Sequence, residues 1–198
     1  MTKVPVTIYA EMTPNPGVMK FVANKVLNAG SPVDFTTSSD LSVSPLSKKL
    51  LNFPFVDSVF IANNYVSVTK NPQIEWDMVM TELREFIRDF INDGGAVLTE
   101  TVVKETTEKP VEISEPLNVA TTEIDQKIID ALNEYIRPAV ESDGGSIDFK
   151  SFRDGKVNVV LRGACSGCPS STVTLKQGIE GLLKKLVPEV TEVVSEAL

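Results

Sequence analysis

The sequence predicts an α+β protein of two small domains joined by a flexible linker. Three observations carry that reading. Runs of period two alternate with apolar stripes at helical spacing, the middle of the chain loses both periods, and a fresh set of strand and helix signals follows the gap. The expected boundaries are 1–95 for the front domain, 96–122 for the linker and 123–198 for the C-terminal module.

With 198 residues and 42% hydrophobic content, the chain has apolar material for real cores. Its 19 Lys and Arg stand against 27 Asp and Glu, a formal charge of -8. That balance opposes phosphate backbones and anionic membranes, so neither nucleic acid nor a membrane is an expected partner. No apolar stretch approaches the roughly 20 residues of a membrane span, and the N-terminus lacks signal-peptide features. A cytoplasmic protein is the expectation, with thiols kept reduced and a close cysteine pair serving as a metal or redox site.

In the front domain, residues 4–10 alternate like a strand and residues 20–27 look like its partner. Ser44-Pro45 opens a short helix carrying Leu46, Leu50 and Phe53, with Ser44 as cap and Pro45 in the first turn. Residues 58–61 and 65–69 form a hairpin across Ala62-Asn63-Asn64, because Asn tolerates the positive φ of such turns. Trp76, Val79, Met80, Leu83, Phe86, Ile87 and Phe90 stripe a longer helix that stops at Asp93-Gly94-Gly95. Trp76 sits in that stripe and reads as core, while Glu75, Asp77, Glu82 and Asp89 read as a solvated face. Nothing in this domain looks catalytic; on a long tether it is expected to recognise clients or partners.

Residues 96–122 hold Thr, Glu and Pro, with no aromatic residue and no sustained period. Such a stretch cannot bury enough surface to offset its ordering entropy. Val102-Val103 and residues 111–113 are the only candidates there for an added edge strand.

In the C-terminal module, Thr121 or Thr122 caps a helix striped by Ile124, Ile128, Ile129, Leu132, Ile136 and Val140, which Pro138 ends or kinks late. Asp143-Gly144-Gly145 turns the chain into a strand over 146–152, Arg153-Asp154-Gly155 makes a hairpin turn, and residues 156–161 form the returning strand. Val173, Leu175, Ile179, Leu182, Leu183, Leu186 and Val187 stripe the next helix, and residues 190–196 are a candidate final strand.

Cys165-Ser166-Gly167-Cys168 lies between that returning strand and that helix. These are the chain's 2 cysteines, and it has no histidine. Ser170 or Ser171 is the expected cap and Pro169 suits the helix entry. The positive helix end then favours thiolate over thiol. Disulfide exchange, zinc and iron–sulfur ligation all use this spacing. Structural zinc and a thiolate-held cluster each want four ligands, so one chain supplies half a site and two chains on a two-fold axis complete it. Missing histidine removes the usual general base. Against dithiol oxidoreductase chemistry, the module is expected to lack the βαβ run around such a motif.

The blocks Arg137-Pro138, Asp143-Gly144-Gly145, residues 161–171, Thr174-Leu175-Lys176 and Gly178-Ile179-Glu180 resemble the C-terminal domain of NifU-like (Nfu-type) iron–sulfur scaffold proteins. Thr13-Pro14-Asn15-Pro16, Lys20-Phe21-Val22, Ser44-Pro45-Leu46 and residues 56–60 are similar to the domain that often precedes it; Ser47 stands where many relatives have Ala. The resemblance implies a carrier and not an enzyme. It implies a cluster, typically [4Fe-4S] with [2Fe-2S] as the variant, shared by two protomers through Cys165 and Cys168 as metal ligands. A homodimer when loaded, apo iron–sulfur proteins as acceptors and upstream assembly machinery as donor are implied as well. Eukaryotic members carry a presequence, so a chain starting at its first strand is expected to be bacterial or a mature form. A zinc-bridged dimer and a thiol–disulfide oxidoreductase stand as the alternatives. The loop around the thiols is small and polar, so the apo form is expected to be monomeric.

Overall fold

A computed structural model describes residues 4–99, 117–166 and 169–197. The chain divides into two compact units, Met1–Lys109 and Pro110–Leu198. Each unit is α+β with its own sheet and its own core.

The front unit holds β1 (Ile8–Met12), β2 (Val18–Ala23), β3 (Val33–Thr36), α1 (Pro45–Leu50), β4 (Val56–Ala62), β5 (Tyr65–Lys70) and α2 (Trp76–Asn92). Its strands form one antiparallel sheet in the order β1-β2-β5-β4-β3. Met19, Phe21, Val59, Ile61, Val66 and Val68 share a core with Leu46 and Leu50 of α1 and with Leu83, Ile87 and Ile91 of α2. Full burial of each such side chain stabilises by about 1.5–3 kcal/mol. Asn63 turns β4 into β5 at φ 38, the left-handed conformation that Asn accepts. Ser44 caps α1 as expected, its side chain accepting from Ser47 N.

Several limits differ from the sequence expectation. The first strand starts at Ile8 because Pro5 has no N–H to give a ladder; the Asn92 side chain instead both accepts from and donates to the backbone of Val6. β2 ends at Ala23 because Leu27 N and Asn28 N both turn to the Asn63 carbonyl. β3 has no counterpart in the sequence reading; it is a four-residue strand that pairs with β4 and, among the described residues, forms the edge of the sheet. The start of the expected linker belongs to the front unit: Val97 packs in its core, Ser44 Oγ donates to the Val97 carbonyl at 2.7 Å, and Thr99 N donates to Val43 O at 2.9 Å. The candidate edge strands at Val102-Val103 and 111–113 lie outside the described residues.

In the C-terminal unit, α3 (Glu123–Ala131) runs through a π turn (Leu132–Ile136) into α4 (Arg137–Ser142). Pro138 cannot donate to the turn before it and its ring crowds that turn. The helix widens there, Arg137 N reaching Leu132 O, and then continues. β6 (Gly145–Arg153) and β7 (Lys156–Gly163) form an antiparallel hairpin, turned by Asp154 and Gly155 at φ 51 and 79. α5 (Pro169–Leu186) then carries the chain to β8 (Glu192–Ala197), which pairs parallel with β7. The module therefore does contain a βαβ unit, β7-α5-β8, contrary to expectation. The hairpin leaves one edge of β7 open, and a strand returning through a helix pairs parallel there.

The far end of the expected linker also belongs to this unit. Asn118 N donates to Phe149 O at 2.7 Å, and Phe149 N donates back to Asn118 Oδ1 at 2.8 Å, one rung beside β6. Thr122 is the cap of α3, in a capping box with Asp125. Burial raises the Asp125 pKa, but hydrogen bonds from the side chains and backbones of Thr121 and Thr122 outweigh it and hold the carboxyl below its ordinary value.

Asp125→Ala should cost about 1 kcal/mol, as loss of a cap does, measured by urea denaturation of the full chain. Because the folded carboxyl sits below the unfolded one, its contribution is full above about pH 4 and fades as pH falls through the folded value. The gap between wild type and variant should therefore close in acid.

Candidate metal centre

The strand carrying the first predicted ligand ends in a tight turn. Gly163, at φ 65, finishes β7 in a conformation that costs other residues roughly 1–2 kcal/mol. Ser166 N then donates back to the Gly163 carbonyl at 3.0 Å, and Ser166 Oγ does so at 2.9 Å. Cys165 is the third residue of this closed turn. Its side chain points into the core with Ile147, Leu161 and Ile179, leaving the residue 7% exposed.

A second segment closes over the same place. The α4–β6 turn passes Gly144 at φ 82, and its carbonyl accepts from Ala164 N at 3.2 Å. Gly145 opens β6 and pairs with Gly163 as the end rung of the hairpin. A Cβ on Gly145 would sit 2.7 Å from the Arg162 carbonyl oxygen and 2.7 Å from Cys165 Sγ. The sulfur occupies room that exists because residue 145 has no side chain. Sequence reasoning gave Asp143-Gly144-Gly145 turn and packing roles, without a contact to the thiol. The signal for more was the second glycine: the first satisfies the left-handed turn, and the next one marks a close approach.

The second predicted ligand, Cys168, lies outside the described residues, as does Gly167. α5 begins at Pro169. Ser170 and Ser171 consequently lie inside the first turn and neither is in the cap position, a correction to the expected cap. Proline takes the first helical position because its missing N–H would be unpaired there anyway. The positive end of an 18-residue helix thus follows the cysteine motif directly.

Ile179, Leu183 and Val187 seat the α5 region in the core, while Leu186, counted in the apolar stripe, is exposed. Glu180 ties α5 to β8 by accepting from Val193 N at 3.2 Å and from Lys184. The Lys184 hydrogen bond, helped by that from Val193, holds its carboxyl below the ordinary range. Among the described residues, no group of three or more His, Cys, Asp or Glu side chains could hold a metal. No helix there is long and apolar enough to cross a membrane.

In the front unit, Trp76 is half-buried against the core, its indole N–H donating to the Pro16 carbonyl at 2.9 Å. Glu75, Asp77, Glu82 and Asp89 are exposed, as a solvated face requires.

The family model described as NifU-like domain matches residues 128–194, and that described as scaffold protein Nfu/NifU N terminal matches residues 8–94. The human protein named NFU1 iron-sulfur cluster scaffold homolog, mitochondrial, is 35% identical over 188 residues, covering 92% of this chain and 69% of its own length. The chain belongs to the NifU-like, Nfu-type family of iron–sulfur cluster scaffolds. A relative from Arabidopsis thaliana, NifU-like protein 4, mitochondrial, is 36% identical over 192 residues, covering 96% of this chain and 65% of its own length. The chain thus spans about two thirds of these curated relatives. The solution structure of a NifU-like protein from Saccharomyces cerevisiae aligns with a TM-score of 0.45 at 19% identity, over 50% of this chain and 91% of that one.

Within the NifU-like match, Gly178 sits on the exposed side of α5, where an added Cβ would meet nothing within 4 Å. Gly178→Ala should therefore stabilise by about 0.5–1 kcal/mol, the usual helix-interior difference, read as a higher denaturation midpoint. A lower midpoint would show that this helix face is constrained by something more than solvent.

Proposed function

We propose that the C-terminal unit binds an iron–sulfur cluster as cargo, shared between two copies of the chain, and passes it to apo-proteins. The observation that carries this reading is the ligand count. The chain has 2 cysteines and no histidine, half the four thiolates of a cubane cluster. Cys165 and Cys168 of each copy would complete the set about a two-fold axis, and the [4Fe-4S] form matches four thiolates in all. Each thiolate pair stands before the positive end of α5, which offsets part of the cluster's negative charge.

Transfer follows from ligand exchange, which needs no net oxidation or reduction. An acceptor's thiolates replace Cys165 and Cys168 one at a time, and each displaced cysteine takes up a proton from solvent. A site divided between two small surfaces releases its cargo when they part. The protein acts as a carrier and not as a catalyst.

The βαβ unit around the cysteines favours a second reading, thiol–disulfide exchange. Burial of Cys165 argues the other way, since reactive thiols sit in partly exposed places.

Anaerobic reconstitution with ferrous iron and sulfide should give a coloured protein carrying about four iron per two chains. Cys168→Ser should abolish the colour without changing the thermal midpoint of the apo protein. A colourless zinc protein would contradict the proposal, as would reduction of a model disulfide by wild type but not by Cys168→Ser.

The front unit is proposed to raise the local concentration of the cluster-bearing module at a client or donor. A shared tether converts the second encounter into an intramolecular one. Deleting residues 1–95 should slow transfer to full-length acceptors by about tenfold or more, while cluster loading stays normal. An unchanged rate for every acceptor tried would refute this role.

A further inference from the structure

Cys165 poses a mechanical problem for a shared cluster. Iron from a centre lying between two chains must reach the sulfur from outside the module, yet Cys165 is 7% exposed and packs with the core. Two backbone segments enclose it. The Gly163–Ser166 turn places it, and the Gly144–Gly145 turn lies behind its sulfur, latched by the Ala164 N to Gly144 O bond at 3.2 Å. On the Gly145 side, a Cβ would meet both the sulfur and the Arg162 carbonyl at 2.7 Å. The carbonyl belongs to the β6–β7 ladder and resists displacement. The turn carrying Cys165 is closed on itself by the Ser166 bonds to Gly163 and tied to Gly144 by the Ala164 N–H, outside the β6–β7 ladder. Any group added at residue 145 would therefore move Cys165 outward before it moved the strand.

We infer that Gly145 is a positioning residue for Cys165: its missing side chain makes a niche that sheathes the thiol in the apo module, and cluster uptake draws Cys165 out of that niche. This rests on the cluster-carrier reading and adds a step to it. In a cell without a waiting cluster, the sheathed thiol is shielded from oxidants and stray metals. Loading then requires the Gly163–Ser166 turn to swing out, breaking the Ala164–Gly144 hydrogen bond and replacing it with iron–sulfur bonding. The niche sets a cost on the empty exposed state, which bonding of the sulfur to iron must offset.

The test labels apo full-length protein with N-ethylmaleimide, with Cys165 and Cys168 resolved by peptide mass mapping. It needs no cluster, so failure of reconstitution would overturn the carrier reading without touching this result. Native wild-type Cys165 should label at least about tenfold more slowly than in the urea-unfolded chain at the same pH. Gly145→Ala should raise the native rate by about fivefold or more. Ile129→Val, a core truncation in α3 of the same unit, should leave it unchanged even if it lowers the thermal midpoint. Should Gly145→Ala fail to fold, Ser166→Ala, which deletes the hydroxyl bond to Gly163, carries the same expectation. Labelling of native Cys165 at the unfolded rate would overturn the inference. So would a wild-type rate in the variant, or an equal acceleration by Ile129→Val, which would mark the rate as a report of global opening.

Discussion

The end rung of the β6–β7 hairpin, where Gly145 faces Gly163, is the contact that sets the surroundings of Cys165, on which the proposed function depends. It brings two left-handed glycine turns, at Gly144 and Gly163, to the same place and leaves beside Gly145 a space that a side chain there would fill. Into that space the chain puts a sulfur atom. Everything downstream is set by the position of this rung: β7 stops there, Pro169 starts α5 six residues later, and the cysteine motif spans the gap.

The architecture around the rung is rigid in proportion to the task. β7 runs through the middle of its sheet, bonded to β6 on one side and to β8 on the other. α5 is fixed to β8 by the Glu180 carboxylate and to the core by Ile179 and Leu183. The π turn lets α3 and α4 continue past Pro138, so that α4 delivers Gly144 to the cysteine loop. The Gly163–Ser166 turn is thus flanked by well-packed elements, so its own opening is a local event.

Much of this was legible in the sequence. The alternation of residues 156–161, the Asp154-Gly155 turn and the proline-led stripe of α5 each follow from local backbone chemistry, which acts within a few residues. The limits were set by tertiary partners. Residues 190–196 read as a strand, but nothing local says which edge accepts it, so the parallel pairing and the βαβ unit were missed. Val97 and Asn118 looked like linker because their partners, Ser44 and Phe149, are far away in sequence. β3 is too short and too close to a polar loop to show a period. The burial of Cys165 was invisible for a different reason: cysteine is as much at home in a core as at a metal, and only the contact with Gly145 distinguishes the two.

The central claim is that one chain provides half a coordination shell and a second copy provides the rest. Native mass spectrometry of the reconstituted protein under anaerobic conditions tests it most directly, because it weighs the cluster and counts the chains in one particle. The account predicts cluster mass on two-chain particles only, with single chains bare. Cluster mass retained on single chains would contradict it.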